Sequence, residues 1–521
     1  MARTPVIFLA LFALACASAS PSNQPSAESL GIRFIERTDA RNLAPDAFFA
    51  REYQRLNARR QHFGFETAGG TRPVKTVGLG LSGGGIRSNA FQMGLLAGLQ
   101  QTKFGNATLL DRIDYISSVS GGTWANVALW AWPGDTAEMF RCLDAFAAGH
   151  SLAAQCKETA GLLRNTQNVT WIPAPFSRQR KERWEADIHE NHLRLCDPDL
   201  DAPQPAAGCQ AAILDQRPYF IVNSTHDAPS DKSKPDNFPL EITRDRLTAI
   251  GDRGSSGPGV VPQSGAPAGF SVDLDNSQVQ WLRKKFFSGL LPGGKNGLEP
   301  GMRLSRVAAH SSAVIQGFGF GRALFLDFFF ELSHGGAPVA DRRLRQRYVL
   351  SDGGKSDNSG IVPLVDRGVD IVVASHLGRD EKNTFQDLND AIAQVKRLFG
   401  CTMAAQSIAH DTIFPGSYRC PSGAAEHPMR HVHPSREAIG PFLEDLERGG
   451  PEMHALAEFL RGEMRQKGVD AFPQSKTFQF VYDPRLIRAY YLLGKFIATE
   501  QVAPFLRDQL GAAPVVAAGG R

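Results

Sequence analysis

The sequence predicts an α/β protein, and two observations carry that expectation. Two apolar runs in the first quarter of the chain each end in glycines and pass into a helical pattern. They are Val77-Gly-Leu-Gly-Leu-Ser82 before Gly83-Gly84-Gly85, and Ile113 to Val119 before Ser120-Gly121-Gly122. A third buried-strand run, Val369 to Ala374, follows Asp352-Gly353-Gly354. Short strands alternating with helical patterns read as α/β units, and such folds place their functional groups just beyond the strand ends.

Composition bounds the rest. The 521 residues are 42% hydrophobic and 21% charged, enough for a large core. A net charge of +4 without any basic run is too mild to argue for nucleic acid, and no nucleic-acid partner is expected. Residues 1–19 read as an export signal: Arg3, an apolar run from Val6 to Ala15, then Ala17-Ser-Ala19 as cleavage site. Cys16 offers a rival reading as a lipidated anchor of a lipoprotein. No later run is long enough to span a bilayer. The chain is therefore expected to be periplasmic or secreted. Without Cys16, six cysteines fall as three close pairs, 142–156, 196–209 and 401–420. In an oxidising compartment three local disulfides are the simplest of about fifteen connectivities.

The elements follow in order. Residues 20–73 form an N-terminal extension in which Ala44 to Phe63 reads as a surface helix without chemistry. Ser88 to Leu99 is a helix with Phe91, Leu95, Leu96 and Leu99 on one side, and the helix after Ser120 runs from Thr123 to Trp130. Residues 133–215 are mixed, and Tyr219 to Thr225 is a strand. Residues 226–270, rich in Pro, Gly, Ser and Asp, read as a long loop or insertion. Trp281 to Leu291 and Phe325 to Phe330 have two readings each, a membrane-surface stretch or a core-packed one. Leu304 to Gly317 is a small-residue helix that packs closely. Tyr348 to Ser351 is a short strand, and Ile361 to Arg367 a helical turn. Residues 381–510 are mainly helical, with a strand at Thr477 to Tyr482, and 511–521 is an expected disordered tail.

Three pieces carry chemistry. Ser120 sits on a sharp strand-to-helix turn, the nucleophile-elbow arrangement, although Ser118 stands where the first glycine of that motif usually falls. The competing reading is a Ser-Gly-Gly loop. Strand, triple glycine and helix make an anion cradle. A phosphate reading needs Gly-Lys-Ser/Thr or a last glycine, and this chain has Gly-Ile86-Arg87-Ser88. A tetrahedral oxyanion is the better ligand. Asp352, at a strand end, reads either as a general base or as a turn aspartate. His427, His431 and His433 cluster in a Pro-flanked loop, but their spacing matches no common zinc pattern.

Together, Gly83-Gly-Gly-Ile-Arg87, Ser120-Gly-Gly122 and Asp352-Gly-Gly354 resemble the patatin-like phospholipase family and the cytosolic calcium-dependent phospholipases that share its dyad. The likeness runs from Val74 to Leu377 and takes in Phe220 to Thr225, Val307 to Ala313, and Asn358. It implies an α/β/α patatin-like sandwich of three layers with a mainly parallel central sheet. Residues 74–380 would be the catalytic domain, with insertions at 133–300, followed by the helical region 381–510. Ser120 would be the nucleophile and Asp352 the base. Gly83, Gly84, Gly85 and Ile86 would form the oxyanion hole, supported by Arg87 and Gly122. No catalytic histidine, cofactor or metal is implied. Ser82 departs from the aspartate of many patatins, and Ser118 from the elbow glycine. The expected activity is lipid acyl hydrolysis of the phospholipase A or lysophospholipase type, on a phospholipid or other acyl-ester lipid at a peripheral membrane surface. Two alternatives stand beside it: a Ser-His-Asp esterase using His376 or a later histidine, and a catalytically silent lipid-binding or interaction protein.

Overall fold

The run Val77-Gly-Leu-Gly-Leu81 shows how the sequence builds the centre of the molecule. Its three apolar side chains are each 0% exposed and face one core. Its glycines face the other way, where a Cβ on Gly78 would stand 2.9 Å from the Leu364 side chain and one on Gly80 2.6 Å from the Ser359 carbonyl. The helical turn Val362–Asp366 can lie flat on the strand only because those side chains are missing.

In the computed structural model the described residues are 32–35, 49–154, 156–164, 185–186, 188–193, 196–198, 200, 209, 214–227, 237–250, 269–274, 279–282, 298–300, 302–312, 328–334, 337–338, 348–378, 380, 384–406, 411–421, 423, 425–467, 471–475 and 482–511. The expected signal segment with Cys16, the strand at 477–481 and the tail beyond Gly511 lie outside them.

The labelled elements are α1 (Ala50–His62), β1 (Val77–Leu81), α2 (Gly85–Gln101), β2 (Tyr115–Val119), α3 (Gly121–Ala131), α4 (Thr136–Ala147), β3 (Tyr219–Asp227), β4 (Asn237–Thr243), β5 (Arg246–Ile250), β6 (Gly269–Asp273), α5 (Leu304–Ser311), β7 (Tyr348–Asp352), β8 (Ile371–Ser375), α6 (Gln386–Phe399), β9 (Thr402–Ala405), β10 (Ile413–Arg419), β11 (His427–Val432), α7 (Pro451–Lys467) and α8 (Pro484–Ile497). The strands β3, β2, β1, β8 and β11 lie side by side and parallel. Antiparallel strands extend both edges: β4, β5, β6 and then Ile32–Ile35 beyond β3, and β10 and β9 beyond β11.

Alternation along the strands makes two cores. Ile116, Phe220, Val222 and Val373 join the helices α2, α3, α4 and α8 on one face. Tyr115, Ile221, Val372 and Ala374 join α1, α6 and the turn at Val362 on the other. The result is a mixed α/β sheet with parallel core strands between helical layers, as the sequence predicts. Its C-terminal region is helical, but β9, β10 and β11 extend the sheet within it.

Three expectations need correction. Residues 226–270 are not merely loop, since β4, β5 and the start of β6 fall there. Polar residues Glu241 and Thr248 are buried beside Leu240, Ile242 and Leu247, so the strands lack the clean alternation that would reveal them. The core-packed reading of Trp281 to Leu291 is of a helix, but Trp281–Leu282 closes a strand, Val279–Leu282, and Phe328 begins another, Phe328–His334. Residues 283–291 and 325–327 lie outside the described residues.

The third correction concerns α1, which is a packed element rather than a surface helix. Glu52, Arg59 and Arg60 are buried on it and fully paired. Arg60 grips Asp114 through Nε and Nη2 at 2.7 Å each, and Arg112 adds a third contact at 3.0 Å. Burial alone would push the Asp114 carboxyl up, but Arg112 and Arg60 outweigh it and hold it below its ordinary value. Arg367 and Arg246 both close on Glu52, at 2.9 and 2.6 Å.

The three expected disulfides are present, Cys142–Cys156, Cys196–Cys209 and Cys401–Cys420. They fit an extracellular or periplasmic protein. Among the described residues no helix is long and apolar enough to cross a membrane.

Candidate active site

Two strands meet tip to tip along the edge of β3. β2 runs parallel to it and ends with Val119 opposite Asn223. β7 comes from the other direction and ends with Asp352 opposite Ser224. Consecutive residues of one strand therefore set Ser120 and Asp352 against each other. Gly353 must be glycine here, because a Cβ would lie 2.4 Å from the Asn223 carbonyl.

Ser120 has φ 50° and ψ −121°, a left-handed conformation that strains a side chain. It is the N-cap of α3, and no side chain caps that helix. Gly121 and Gly122 let α3 approach the neighbouring strand end. A Cβ on Gly121 would stand 2.1 Å from the Gly85 carbonyl, and one on Gly122 2.3 Å from the Leu81 carbonyl. Ser118, the unusual elbow residue, is accommodated by hydrogen bonds. Its Oγ donates to the Ile221 carbonyl at 3.2 Å and accepts from Asn126 Nδ2 at 2.9 Å.

The glycine cradle faces the elbow. Gly84 and Gly85 have φ of 140° and 65°, a region that suits glycine alone. Gly83 lies close enough that a Cβ on it would be 3.3 Å from the Ser120 Cβ. α2 starts at Gly85, and no side chain caps it. Its first N–H groups therefore have no partner in their own helix, and the helix dipole adds to them. The Gly83 N–H is different: it donates to the Asn358 carbonyl at 3.0 Å. That bond engages the Gly83 N–H, which the expected oxyanion hole would need free. Ser82 anchors the loop, its Oγ accepting the Leu377 N–H at 2.8 Å and its N–H bonding Ser375 Oγ at 3.0 Å.

Asp352 is 4% exposed and Ser120 5%. Burial raises the Asp352 carboxyl to about 6, against the pull of the Gly354 N–H, the Ser120 hydroxyl and Lys355. Oδ1 accepts the Gly354 N–H at 2.7 Å. Oδ2 is buried without a hydrogen-bond partner. The Ser120 hydroxyl is near enough to act on the carboxyl, yet completes no hydrogen bond of ordinary geometry to Oδ2. Such bonds tighten when substrate binds.

Arg87 is 1% exposed. Its guanidinium donates to the carbonyls of Leu377 and Ser475, pinning the first turn of α2. Sequence reasoning missed two partners. Asp387 accepts from Asn358 Nδ2 at 2.7 Å, and Ser311 Oγ accepts the Ser120 N–H at 2.9 Å. Both lie far in sequence from the motifs they contact; Ser311 falls within the quoted stretch Val307 to Ala313, but nothing there assigns it this contact.

His376 is engaged elsewhere. Its Nε2 meets His431 Nδ1 at 3.0 Å, and burial, with His431 and His433 beside it, holds its pKa well below the ordinary value. His427 and His431 lie on β11 rather than in a loop, and among the described residues no cluster of His, Cys, Asp and Glu is arranged to hold a metal ion.

No protein-family model matches the chain, and no curated protein matches it. Solved structures do. The chain is similar to human GIVD cytosolic phospholipase A2, with a TM-score of 0.55 at 14% identity, over 94% of this chain and 69% of that one. The same human protein in complex with methyl gamma-linolenyl fluorophosphonate gives 0.50 at 16% identity, over 92% of this chain and 65% of that one. At these identities the likeness is one of fold.

Proposed function

We propose that the chain is a lipid acyl hydrolase of the phospholipase A or lysophospholipase type, working through a patatin-like Ser120–Asp352 dyad. The observation that carries this reading is the Asp352 carboxyl itself. It is buried, raised to about 6, and keeps Oδ2 unpaired beside a strained serine. Glu241 also keeps one carboxyl oxygen unpaired, so what supports the reading is the combination of burial, the raised carboxyl and the serine beside it.

The chemistry follows from the placement. Ser120 Oγ attacks the ester carbonyl carbon while its proton passes to Asp352 Oδ2. The tetrahedral oxyanion forms against the N–H groups of Gly84, Gly85 and Ile86, where two uncapped helix N-termini converge. Collapse expels the alcohol, which takes the proton from Asp352, and leaves an acyl-serine. Asp352 then deprotonates water for the second attack, and as that intermediate collapses the proton passes from Asp352 to Ser120 Oγ, releasing fatty acid and restoring both groups. No histidine is required. A phospholipid or lysophospholipid surface is the substrate this reading assigns, with residues 74–380 as the catalytic unit and the exported protein acting at a membrane surface. The fold shared with human GIVD cytosolic phospholipase A2 supports it.

One observation favours the silent lipid-binding alternative: the dyad is nearly closed to solvent. A lipid-chain fluorophosphonate separates the two. Intact-mass and peptide analysis should find a stable phosphonyl adduct on the peptide containing Ser120, lost in Ser120→Ala. A folded protein that stays unlabelled above its binding concentration would favour the silent reading.

A further inference from the structure

We propose that Ser311 is a positioning residue that holds the nucleophile in register with the base; the inference rests on the dyad reading given above. Ser311 is the last residue of α5 and is 0% exposed. Its hydroxyl donates to the Asn223 carbonyl at 2.6 Å and accepts the Ser120 N–H at 2.9 Å. Thr123 Oγ1 lies 2.9 Å away, its one proton shared between Ser311 Oγ and Ser118 Oγ at 3.3 Å. A serine hydroxyl has one donor and two acceptor sites, so Ser311 can serve all three neighbours. The Ser311 backbone carbonyl accepts the Gly353 N–H at 3.3 Å. One residue thus grips the N–H of the nucleophile and the N–H next to the base.

The grip has a physical purpose. At the elbow the chain leaves the sheet, so the Ser120 N–H loses its place in the ladder and still needs a partner. The Ser120 conformation is strained, at a cost on the order of 1–3 kcal/mol. A strained residue stays strained only where its surroundings fix it. Asn223, opposite Val119 and beside the residue opposite Asp352, is held by the same hydroxyl. Without that hydroxyl, Ser120 can relax away from Asp352 Oδ2.

The experiment pairs Ser311→Ala with Ser311→Thr. Steady-state assays on a lysophospholipid should give Ser311→Ala a kcat lower by about 10²-fold with KM within about twofold. Ser311→Thr, which keeps the hydroxyl, should recover at least about tenfold of the loss. Hydrogen exchange followed by mass spectrometry supplies a readout that needs no turnover. In Ser311→Ala, exchange should quicken in peptides covering 116–124 and 350–356 and stay unchanged across α7. Unchanged exchange at those peptides, or exchange quickened across the whole chain in both variants, would overturn the proposal. A wild type without turnover would refute the dyad reading, while the exchange data would still decide the role of Ser311.

Discussion

Asn358 ties the glycine cradle to the turn that carries Asp352. Its carbonyl accepts the Gly83 N–H at 3.0 Å, and its Oδ1 occupies the space a Gly83 Cβ would need, 2.2 Å away. Asp387 fixes the other end of the amide. The glycine cradle and the Asp352 turn are therefore one assembly, and a change at either reaches the other.

The first consequence is that Gly83→Ala should slow turnover sharply without unfolding the protein. The methyl group must displace Asn358, and it would also press on the Ser120 Cβ at 3.3 Å. A rate loss of at least about 10²-fold is expected, with the circular dichroism spectrum unchanged. Wild-type kinetics in this variant would contradict the assembly.

On the dyad reading, Asp352 should make activity and stability run in opposite directions with pH. If it is the base it must be ionised, so kcat/KM should rise with pH and level off above an inflection near 6. Its folded pKa lies above the ordinary 3.8. The stability it contributes is therefore fully present below about 3.8 and is lost as pH rises through about 6. At pH 8 the buried carboxylate costs on the order of 3 kcal/mol. Asp352→Asn should lose activity yet melt at a higher temperature than wild type at pH 8, with the gap closing towards pH 4. A gap that does not vary with pH would show that the carboxyl is not shifted.

α2 carries the cradle at its N-terminus and is braced by α8 through bare backbone. A Cβ on Gly94 would lie 1.8 Å from the Tyr491 carbonyl, and one on Gly494 2.0 Å from the Phe91 carbonyl. Gly494→Ala must push the helices apart, at a cost of about 1–3 kcal/mol or more. Gly462, inside α7, has nothing within 4 Å of its would-be Cβ. Gly462→Ala should stabilise by about 0.5–1 kcal/mol. Calorimetry on the two variants checks the contrast, and equal shifts would argue against the close crossing.

The central strands were legible because Val77–Leu81 and Tyr115–Val119 are buried on both faces and end in glycines, and local chemistry alone marks such turns. The cysteine pairs were legible from their closeness in sequence. α1 was misread because its buried side chains are charged, and only their partners, Asp114, Arg246 and Arg367, make burial tolerable. β4 and β5 were hidden by buried polar residues among their apolar ones. At the site, Ser120 and Asp352 each stand on a turn that local sequence marks. Asn223 and Ser311 fall in stretches marked only by the resemblance and Asp387 in none, because their contacts exist only once β2 and β7 meet on β3.

The most direct test of the dyad is fatty-acid release from mixed phospholipid and lysophospholipid micelles by the wild-type protein, Ser120→Ala and Asp352→Asn. The dyad predicts release by wild type and a loss of at least about 10³-fold in each folded variant. Substantial release by either variant, or none by folded wild type across a range of acyl esters, would contradict it.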